Sequence, residues 1–253
     1  MVIDELKKNF IPRHVAVIMD GNGRWAELHG NDRIFGHQQG VDAVRSIVEG
    51  AGEIGIEYLT LYAFSTENWD RPKEEVNALM SLLVNAIVNE TDNLNEKNVK
   101  MLAIGGITSL PEDVQSKLAE AVQSTSLNTG LNLVLALSYS GRWEILEAAK
   151  KIVRKTLNGE ITENQINESE FASQLSTSGI PDPELLIRTS GEYRVSNFLL
   201  WQIAYSELYF TPTLWPDFSK EEFYKAVVDY QGRERRFGMT SEQLKQPKKR
   251  HLN

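Results

Sequence analysis

The chain has 253 residues, of which 41% are hydrophobic and 25% are charged. These fractions are typical of a globular protein with a sizeable core, and they exclude a disordered or fibrous chain. The 27 basic and 35 acidic side chains give a net charge of −8 at pH 7. An acidic balance disfavours nucleic acid as a partner, because affinity for its phosphates comes mainly from Lys and Arg.

The complete absence of cysteine excludes disulfides, thiol nucleophiles and cysteine-ligated metals. The chain has only 4 histidines, and none has the spacing of a zinc hydrolase. Residues 1–10 are too charged for a signal peptide, and the longest aliphatic run, 133–137, is too short for a membrane helix. The sequence therefore predicts a soluble, cytoplasmic protein.

Strands and helices are expected to alternate along the chain. The apolar run 14–19 predicts a buried strand, followed by a turn at Asp20-Gly21-Asn22-Gly23. Further strands are predicted over 58–64, 99–104, 131–139, 185–189 and 208–210. Helical spacing of apolar residues predicts helices over 41–54, 73–95, 113–124, 143–157 and 221–230, with one more helical turn around 171–175.

This alternation predicts an α/β fold in a single domain covering residues 1–253, because no repeat or change in composition divides the chain. Right-handed crossovers would give a largely parallel central sheet of about six strands flanked by helices. In such sheets ligands bind beyond the carboxyl ends of the strands. The residues that directly follow each predicted strand are therefore the candidate site.

Basic residues collect at those positions although the protein is acidic overall. They lie in the segments after the strands that end near residues 19, 64 and 189. A concentrated positive pocket of this kind indicates a small polyanion, and phosphate or diphosphate is the natural choice. The basic residues are Arg24, Arg33, His37, Arg71, Arg188 and Arg194.

Gly21 and Gly23 allow two interpretations. Glycines let backbone N–H groups converge on an anion at a helix start, but a tight turn without a ligand explains them equally well. A dinucleotide-binding fingerprint is disfavoured, since no second strand ends about 20 residues further on. A P-loop is excluded because no Gly-Lys-Ser/Thr sequence follows the glycines.

Two carboxylates are candidate Mg²⁺ ligands. Asp20 lies among cationic groups, and a cation would remove its repulsion from a bound phosphate; the alternative is an aspartate that only forms the turn. Glu207 lies in an otherwise apolar stretch, so a metal or an arginine partner is expected. His37 is either a phosphate donor or an ordinary histidine at a helix start.

The predicted helix 73–95 is apolar over most of its circumference. Such a helix is buried on two sides or lines an apolar cavity. Burial between the sheet and a dimer partner and the wall of a lipid tunnel are equally compatible with this pattern. Residues 76–88, with Leu131, Leu133 and Leu135, would form the tunnel wall.

Several motifs together resemble the cis-prenyltransferases, over residues 13–238. The longest are HVAVIMDGNGRW at 14–25, YAFSTENWDRP at 62–72 and RTSGEYRVSNFLLWQ at 188–202, and the motifs are highly specific only in combination. Further matches are GRW at 141–143, YSELYF at 205–210, LWPDF at 214–218 and RERRFG at 233–238. The absence of a DDxxD motif excludes the all-helical trans-type prenyl synthases.

The resemblance implies a homodimeric, Mg²⁺-dependent enzyme with an apolar tunnel. It would extend farnesyl diphosphate with isopentenyl diphosphate and give an undecaprenyl-type carrier lipid for cell-wall synthesis. Transient contact with a membrane surface would serve product release. The catalytic core would span 13–238, followed by a basic tail at 239–253.

The resemblance also assigns roles to residues. Asp20 would bind Mg²⁺ and help the allylic diphosphate to leave, and Glu207 would be the second metal ligand. Asn68 would abstract the proton or, since an amide is a weak base, orient the departing diphosphate toward that proton. The remaining substrate-binding residues form three groups. They are Gly21, Asn22, Gly23, Arg24, Trp25, Arg33 and His37 for the allylic diphosphate; Ser65, Thr66, Glu67, Trp69 and Arg71 around the reacting carbons; and Arg188, Arg194, Val195 and Ser196 for isopentenyl diphosphate.

Two residues depart from the family pattern in the predicted isopentenyl-diphosphate loop. Ser190 stands where glycine is frequent, and Tyr193 stands where histidine is frequent. Two other functions remain open. One is a cis-prenyltransferase of different product length, and the other is a non-catalytic partner subunit that binds diphosphate, although such a subunit would be expected to lose the motif at Asp20.

Overall fold

A computed structural model describes residues 2–236. Its centre is a parallel sheet of six strands in the order β3-β4-β2-β1-β5-β6. The predicted α/β fold with a largely parallel sheet of about six strands is confirmed. The strands are β1 His14–Ile18, β2 Tyr58–Ser65, β3 Lys100–Ile104, β4 Asn132–Tyr139, β5 Leu185–Arg188 and β6 Glu207–Phe210.

Two interior strands that lead to the site, β1 and β5, are buried on both faces. Every residue of β1 and β5 is buried, as expected for parallel strands covered by helices on each side. In the register of the sheet, Ile18 is opposite Arg188, and Arg188 is opposite Phe210. The loops that follow β1, β5 and β6 therefore leave the sheet at one edge, its carboxyl edge.

Eight α-helices surround the sheet in the described part of the chain. All the predicted helices are confirmed, with boundaries that shift by a few residues except at the start of α3. They are α1 Val2–Leu6, α2 Asn22–Leu28, α3 Arg33–Ile54, α4 Lys73–Glu96, α5 Glu112–Ser124, α6 Gly141–Leu157, α7 Glu168–Ser173 and α8 Lys220–Gln231.

Helix α3 begins at Arg33, well before the predicted start at residue 41. The first turns carry Gly36 and Gly40 where a core-facing helix would normally carry larger apolar residues. A Cβ at Gly36 would lie 2.0 Å from the carbonyl oxygen of Asn22, and one at Gly40 would lie 2.5 Å from the Asn22 side-chain oxygen. These glycines let α3 pack directly against α2, and they remove the periodicity that would predict a helix.

The core divides into two layers, one on each face of the sheet. Residues from α3, α4, α5 and α8 pack on one face, around Leu59, Leu61 and Leu133. On the other face, Phe198 and Leu199 pack against Ala16, Val134 and Leu186. The site at the carboxyl edge thus rests on a sheet that is covered on both sides.

Within residues 2–236, no helix combines the length and apolar character that crossing a membrane requires. The predicted basic tail at 239–253 and the last two residues of the motif at 233–238 lie outside the described residues.

Candidate active site

Asp20 lies immediately beyond β1 and is held there by Thr189, the residue after β5. The backbone N–H of Asp20 donates to the Thr189 hydroxyl (2.9 Å), which donates to the Asp20 carbonyl oxygen (2.6 Å). The next residue, Gly21, has φ 108°, in the left-handed region that favours glycine. The chain therefore turns sharply at Gly21 and leaves the Asp20 carboxylate at the carboxyl edge.

Two arginines surround the Asp20 carboxylate. Its Oδ2 lies 2.8 Å from the Arg188 Nη2 and 3.5 Å from the Arg24 Nη2. Burial alone would raise the pKa of Asp20, but hydrogen bonds from Arg188 and Ser190 and the charges of Arg188 and Arg24 outweigh it and lower that pKa. Asp20 is therefore ionised at neutral pH and remains partly accessible from the edge.

Arg188 connects this carboxylate to the loop that follows β5. Arg188 is only 3% exposed, and its Nη1 donates to the carbonyl oxygen of Arg194 and to the Ser196 hydroxyl, each at 2.6 Å. The loop turns through positive φ values at Ser196 (44°) and Asn197 (60°). Non-glycine residues rarely adopt this conformation, so the surrounding contacts must hold the loop in place. Next to Ser196, Val195 packs against the core layer around Phe198.

Arg24 joins the segments after β1 and β5. Its guanidinium donates to the Ser190 carbonyl oxygen (3.1 Å) and to the Ser190 hydroxyl (2.5 Å). Glu192 lies 3.3 Å from Arg24 and 2.5 Å from Arg194. Arg24 thus shares its acidic neighbours with Arg188 and Arg194, and none of its ion pairs connects it with Arg33, with which the sequence grouped it.

A second basic cluster lies where α3 and α4 begin. Glu75 is 2.9 Å from Arg71 and 3.8 Å from Arg33. The Arg33 guanidinium lies over Gly23, because a Cβ at that glycine would be 2.8 Å from the Arg33 Cζ. A side chain at residue 23 would therefore displace the Arg33 guanidinium from this position.

His37 belongs to this second cluster. Burial, followed by the positive charges of Arg71 and Arg33, lowers the pKa of His37 to about 4, although Glu75 acts in the opposite direction. At neutral pH His37 is an uncharged imidazole that can donate one hydrogen bond to a phosphate. On the same side of the sheet, the Trp25 indole donates to Asp217 (2.7 Å) and stacks on His29.

The segment after β2 is held by a capping box. The backbone N–H of Ser65 donates to the Asn68 side-chain oxygen (3.0 Å), and the Ser65 side chain accepts from the Asn68 backbone. The amide oxygen of Asn68 is thus occupied, and its NH₂ group remains available as a donor at the wall of a cavity.

The neighbours of Asn68 are also positioned by hydrogen bonds. The Thr66 hydroxyl donates to the Ser140 hydroxyl (2.8 Å), and the Trp69 indole donates to the Ser138 hydroxyl (2.9 Å). The Glu67 carboxylate accepts from the Asn197 side chain (2.8 Å). This contact links the segment after β2 to the loop after β5, so all three predicted groups of site residues meet at the carboxyl edge.

A cavity of about 250 Å³ opens beside these residues, between the sheet and helices α3 and α4. We refer to it as the α3–α4 cavity. Leu133 and Leu135 line it as predicted, whereas Leu131 is buried elsewhere in the core. At one end it is bordered by Asn22, whose buried side-chain oxygen has no partner among the described residues. The remaining apolar lining includes Val41, Val44, Val48, Leu61, Leu79, Leu82, Leu83, Ala86 and Ile87.

Glu207 does not lie near Asp20 within this chain. It is the first residue of β6 and pairs in register with Leu185, at the amino edge of the sheet. There it accepts from Arg233 at 3.1 Å. The sequence allowed a metal or an arginine as the partner of Glu207, and within this chain the partner is an arginine. Because Asp20 and Glu207 lie at opposite edges of the sheet, they cannot share one metal within a single chain. The strand-end rule concerns carboxyl ends, and Glu207 lies at the opposite end of its strand.

Three residues that hold the candidate active site in place were not assigned from the sequence. Glu75 and Glu192 hold arginines of the two clusters, and Asn197 binds both Glu67 and the backbone N–H of Arg142 (2.9 Å). Each of the three lies in or near one of the family motifs. Nothing in the sequence shows, however, that a carboxylate or an amide beside a phosphate pocket holds its neighbours in place.

The sequence of this chain is similar to those of known proteins. Residues 18–238 match a family model described as "Putative undecaprenyl diphosphate synthase". An isoprenyl transferase of Porphyromonas gingivalis is 54% identical over 234 residues, 92% of each chain. A ditrans,polycis-undecaprenyl-diphosphate synthase ((2E,6E)-farnesyl-diphosphate specific) of Haemophilus influenzae is 51% identical, over 93% of this chain and 99% of its own length.

Solved structures agree with the sequence relatives. Lavandulyl diphosphate synthase from Lavandula x intermedia, in complex with dimethylallyl diphosphate, superposes with a TM-score of 0.88 at 38% identity. That match covers 93% of this chain and all of the other. A probable undecaprenyl diphosphate synthase from Campylobacter jejuni gives a TM-score of 0.76 at 35% identity, over 91% and 99% of the two chains. The two basic clusters and the adjoining cavity therefore belong to a member of the cis-prenyltransferase family.

Proposed function

We propose that this enzyme condenses isopentenyl diphosphate onto farnesyl diphosphate and repeats the step to make undecaprenyl diphosphate, a carrier lipid for cell-wall synthesis. The observation that carries this function is the meeting of two basic clusters with one apolar cavity. Relatives about 50% identical over nearly the whole chain carry the names of undecaprenyl-diphosphate synthases specific for farnesyl diphosphate.

The two clusters provide separate positions for two diphosphates. Arg33, Arg71 and His37 lie at the mouth of the cavity and would bind the allylic diphosphate, whose hydrocarbon would enter the cavity. Arg188 and Arg194 with Ser196 would bind isopentenyl diphosphate, since planar guanidinium groups suit bidentate contacts with phosphate oxygens. Arg24, between them, would contact both substrates.

In the reaction the isopentenyl double bond forms a new C–C bond to the allylic carbon. The diphosphate leaves with the electrons of the broken C–O bond, and one proton is lost. Asn68 presents an NH₂ group to the cavity because its oxygen is bound to Ser65. This favours the role of orienting the departing diphosphate, a better base than an amide, toward that proton.

Asp20 fits Mg²⁺ as a single protein carboxylate. Mg²⁺ is commonly bound by one or two carboxylates together with substrate phosphates and water. Asp20 is ionised and partly exposed beside Arg188 and Arg24, while no group of three or more His, Cys, Asp or Glu side chains is assembled among the described residues. When bound, the ion would neutralise charge on the departing diphosphate.

We also propose that two copies form the active enzyme. In the described part of the chain β6 is an edge strand that pairs with β5 alone, and such edges are usually covered. On this strand Leu208 is 37% exposed, and Tyr193, whose ring packs against Phe210 of the strand, is 80% exposed. Glu207 lies on this strand, so it can contribute to a metal bound at Asp20 only from a second copy.

The activity test uses purified protein, farnesyl diphosphate and labelled isopentenyl diphosphate, with and without Mg²⁺, followed by measurement of product chain length. We expect undecaprenyl diphosphate in the presence of Mg²⁺ and none after chelation. A product of another length would replace the proposed length but not the reaction. Absence of any labelled product, with both substrates bound, would indicate the non-catalytic partner subunit.

The second test mixes two inactive chains, Asp20→Asn and Glu207→Gln. If Glu207 acts across a subunit interface, co-expression restores one complete site per heterodimer and therefore part of the activity. If both residues act within one chain, the mixture remains as inactive as its components. A fully active Glu207→Gln chain would remove Glu207 from the metal site.

The cytoplasmic location and the transient membrane contact remain predictions from the sequence and the resemblance.

A further inference from the structure

The α3–α4 cavity is too small for the product that the enzyme makes. An engineered cavity of about 150 Å³ holds one benzene molecule, so about 250 Å³ accommodates on the order of ten carbon atoms. A farnesyl group is larger than this, and an undecaprenyl chain is several times larger. The cavity must therefore widen as the chain grows.

The walls of the cavity differ in their capacity to move. The sheet wall contains Leu61 on β2 and Leu133 on β4, which are adjacent strands paired along most of their length. The opposite wall is formed by α3 and α4, whose apolar residues face the cavity through side chains such as Val44, Leu79 and Leu83. Side-chain contacts give way more easily than a hydrogen-bonded ladder, so widening requires these two helices to separate.

Helices α3 and α4 run in the same direction and are joined by ion pairs. Near their starts Arg33 and Glu75 are 3.8 Å apart, and further along Arg45 on α3 meets Glu90 on α4. At about 1.5 Å per residue, Arg45 lies roughly 18 Å along the helix from Arg33. Arg45 and Glu90 therefore join the helices in the half of the cavity that is remote from the diphosphate clusters, and Lys97 borders its far end.

The Arg45–Glu90 pair is the closest of these links. The Arg45 Nε and Nη2 lie 2.6 and 2.5 Å from the same Glu90 oxygen, and Asn93 donates to the other oxygen at 3.1 Å. The Glu90 side chain is only 17% exposed. Asp42 faces Arg45 from one turn earlier, and beyond the pair Lys97 lies 3.6 Å from Glu49. Both partners of the pair line the cavity.

We propose that the Arg45–Glu90 ion pair is a determinant of product length, because it limits how far α3 and α4 separate in the remote half of the cavity. The growing hydrocarbon fills the cavity until further separation would break the pair. Elongation then stops, because the next unit has no space. The inference rests on the chain-elongating function proposed above and concerns residues far from its chemistry.

The test compares Glu90→Gln and Arg45→Met with the wild-type enzyme, by mass spectrometry of the products. Both variants are expected to shift the product distribution by one or more isoprene units toward longer chains, with an unchanged initial rate of the first condensation. Glu120→Gln is the matched control, since it removes an exposed ion pair with Lys117 on α5, away from the cavity lining. The control is expected to keep the wild-type distribution.

The absence of native cysteine allows a second measurement. The double variant Arg45→Cys/Glu90→Cys would be joined by a short bismaleimide, so that α3 and α4 are linked covalently. We expect the linked enzyme to return to the wild-type product length and the unlinked enzyme to make longer products.

Unchanged product length in both single variants would overturn the proposal, and so would an equal shift in the control. Loss of folding in the near-isosteric Glu90→Gln chain would also overturn it, because the pair would then serve the fold and not the product. If the wild-type enzyme itself makes no polyprenyl product, the proposed function fails, which is distinguishable from failure of this inference.

Discussion

The carboxyl edge of the sheet and the remote half of the α3–α4 cavity both depend on arginine–carboxylate pairs, but the pairs are supported differently. At the edge, Arg188 is the last residue of β5 and Asp20 lies two residues after the end of β1, and both strands are buried on both faces. In the remote half, Arg45 and Glu90 belong to long helices that meet across an apolar space. The first arrangement fixes reacting groups within narrow limits, whereas the second, under the proposal above, would resist separation of the helices until the growing chain fills the cavity.

The difference fits the role proposed for each region. Charge stabilisation at the diphosphates needs groups that are already oriented before the reaction, because reorganising them would reduce their effect. A hydrocarbon that lengthens at every step needs space and few directional contacts. Substitutions at the edge should therefore change rate and affinity, and substitutions in the cavity should change the product.

The largest effect is expected for Asp20→Ala. Removal of the carboxylate eliminates the proposed metal ligand, so we expect kcat to fall by at least on the order of 10²–10³, as for other lost transition-state contacts. Farnesyl diphosphate binding should remain largely intact, because the positive charges that face the diphosphate are kept. Steady-state kinetics and calorimetric titration check the two parts, with Asp20→Asn as the shape-conserving control. Near-normal turnover of Asp20→Ala would remove Asp20 from the mechanism.

The next effect separates the two basic clusters. Arg194→Lys keeps the charge but loses the planar guanidinium, which costs about 1.5–3 kcal/mol for a hydrogen bond to a charged group, or one to two decades in affinity. We expect the KM for isopentenyl diphosphate to rise by this factor and that for farnesyl diphosphate to change little.

Arg33→Lys should give the reverse pattern, since Arg33 lies in the cluster with Glu75. Arg24→Lys should raise both KM values, because Arg24 is bonded to Ser190 in the loop after β5 and directly follows Gly23, over which Arg33 lies. If all three variants weakened both substrates equally, the edge would contain one shared phosphate pocket and not two clusters.

A smaller effect is expected at Ser190, which has φ 78° and is bound to Arg24 through its hydroxyl. Ser190→Ala removes this hydrogen bond, worth about 1 kcal/mol or roughly fivefold in affinity, together with the hydrogen bond of the same side chain to Asp20, and keeps the backbone strain. Ser190→Gly removes the same bonds and relieves strain of about 1 kcal/mol or more. Both variants should show the same roughly fivefold rise in the KM values for the two substrates that Arg24 would contact. Ser190→Gly should unfold at a higher temperature than Ser190→Ala. Unchanged KM values in both variants would show that the hydroxyl has no role in orienting Arg24, and equal melting temperatures would show that the positive φ carries no strain.

The sequence predicted the strands and long helices well because each carries a continuous apolar run or stripe, as in β1 and α4. It missed α1 and α2, which are too short to show a periodicity, and the start of α3, where glycines replace the apolar stripe. The strand-end rule located Asp20 and Arg188 correctly at the carboxyl edge. It could not show that Arg24 turns toward Ser190, since side-chain partners depend on loop geometry that sequence spacing does not encode.

The smallest effect on rate, but a visible effect on product, is expected for Ala86→Leu in α4. Ala86 lines the α3–α4 cavity, and a larger side chain there reduces a space that is already limited. Because the proposed diphosphate sites lie near the start of α4, the first condensation should proceed at the wild-type rate while the final product loses one or more isoprene units. Chain-length analysis measures this, and Ala119→Leu on α5, a residue that does not line the cavity, is the matched control. Products of wild-type length from a folded Ala86→Leu enzyme would show instead that this face of α4 is packing surface, and the growing chain would have to pass elsewhere along the sheet.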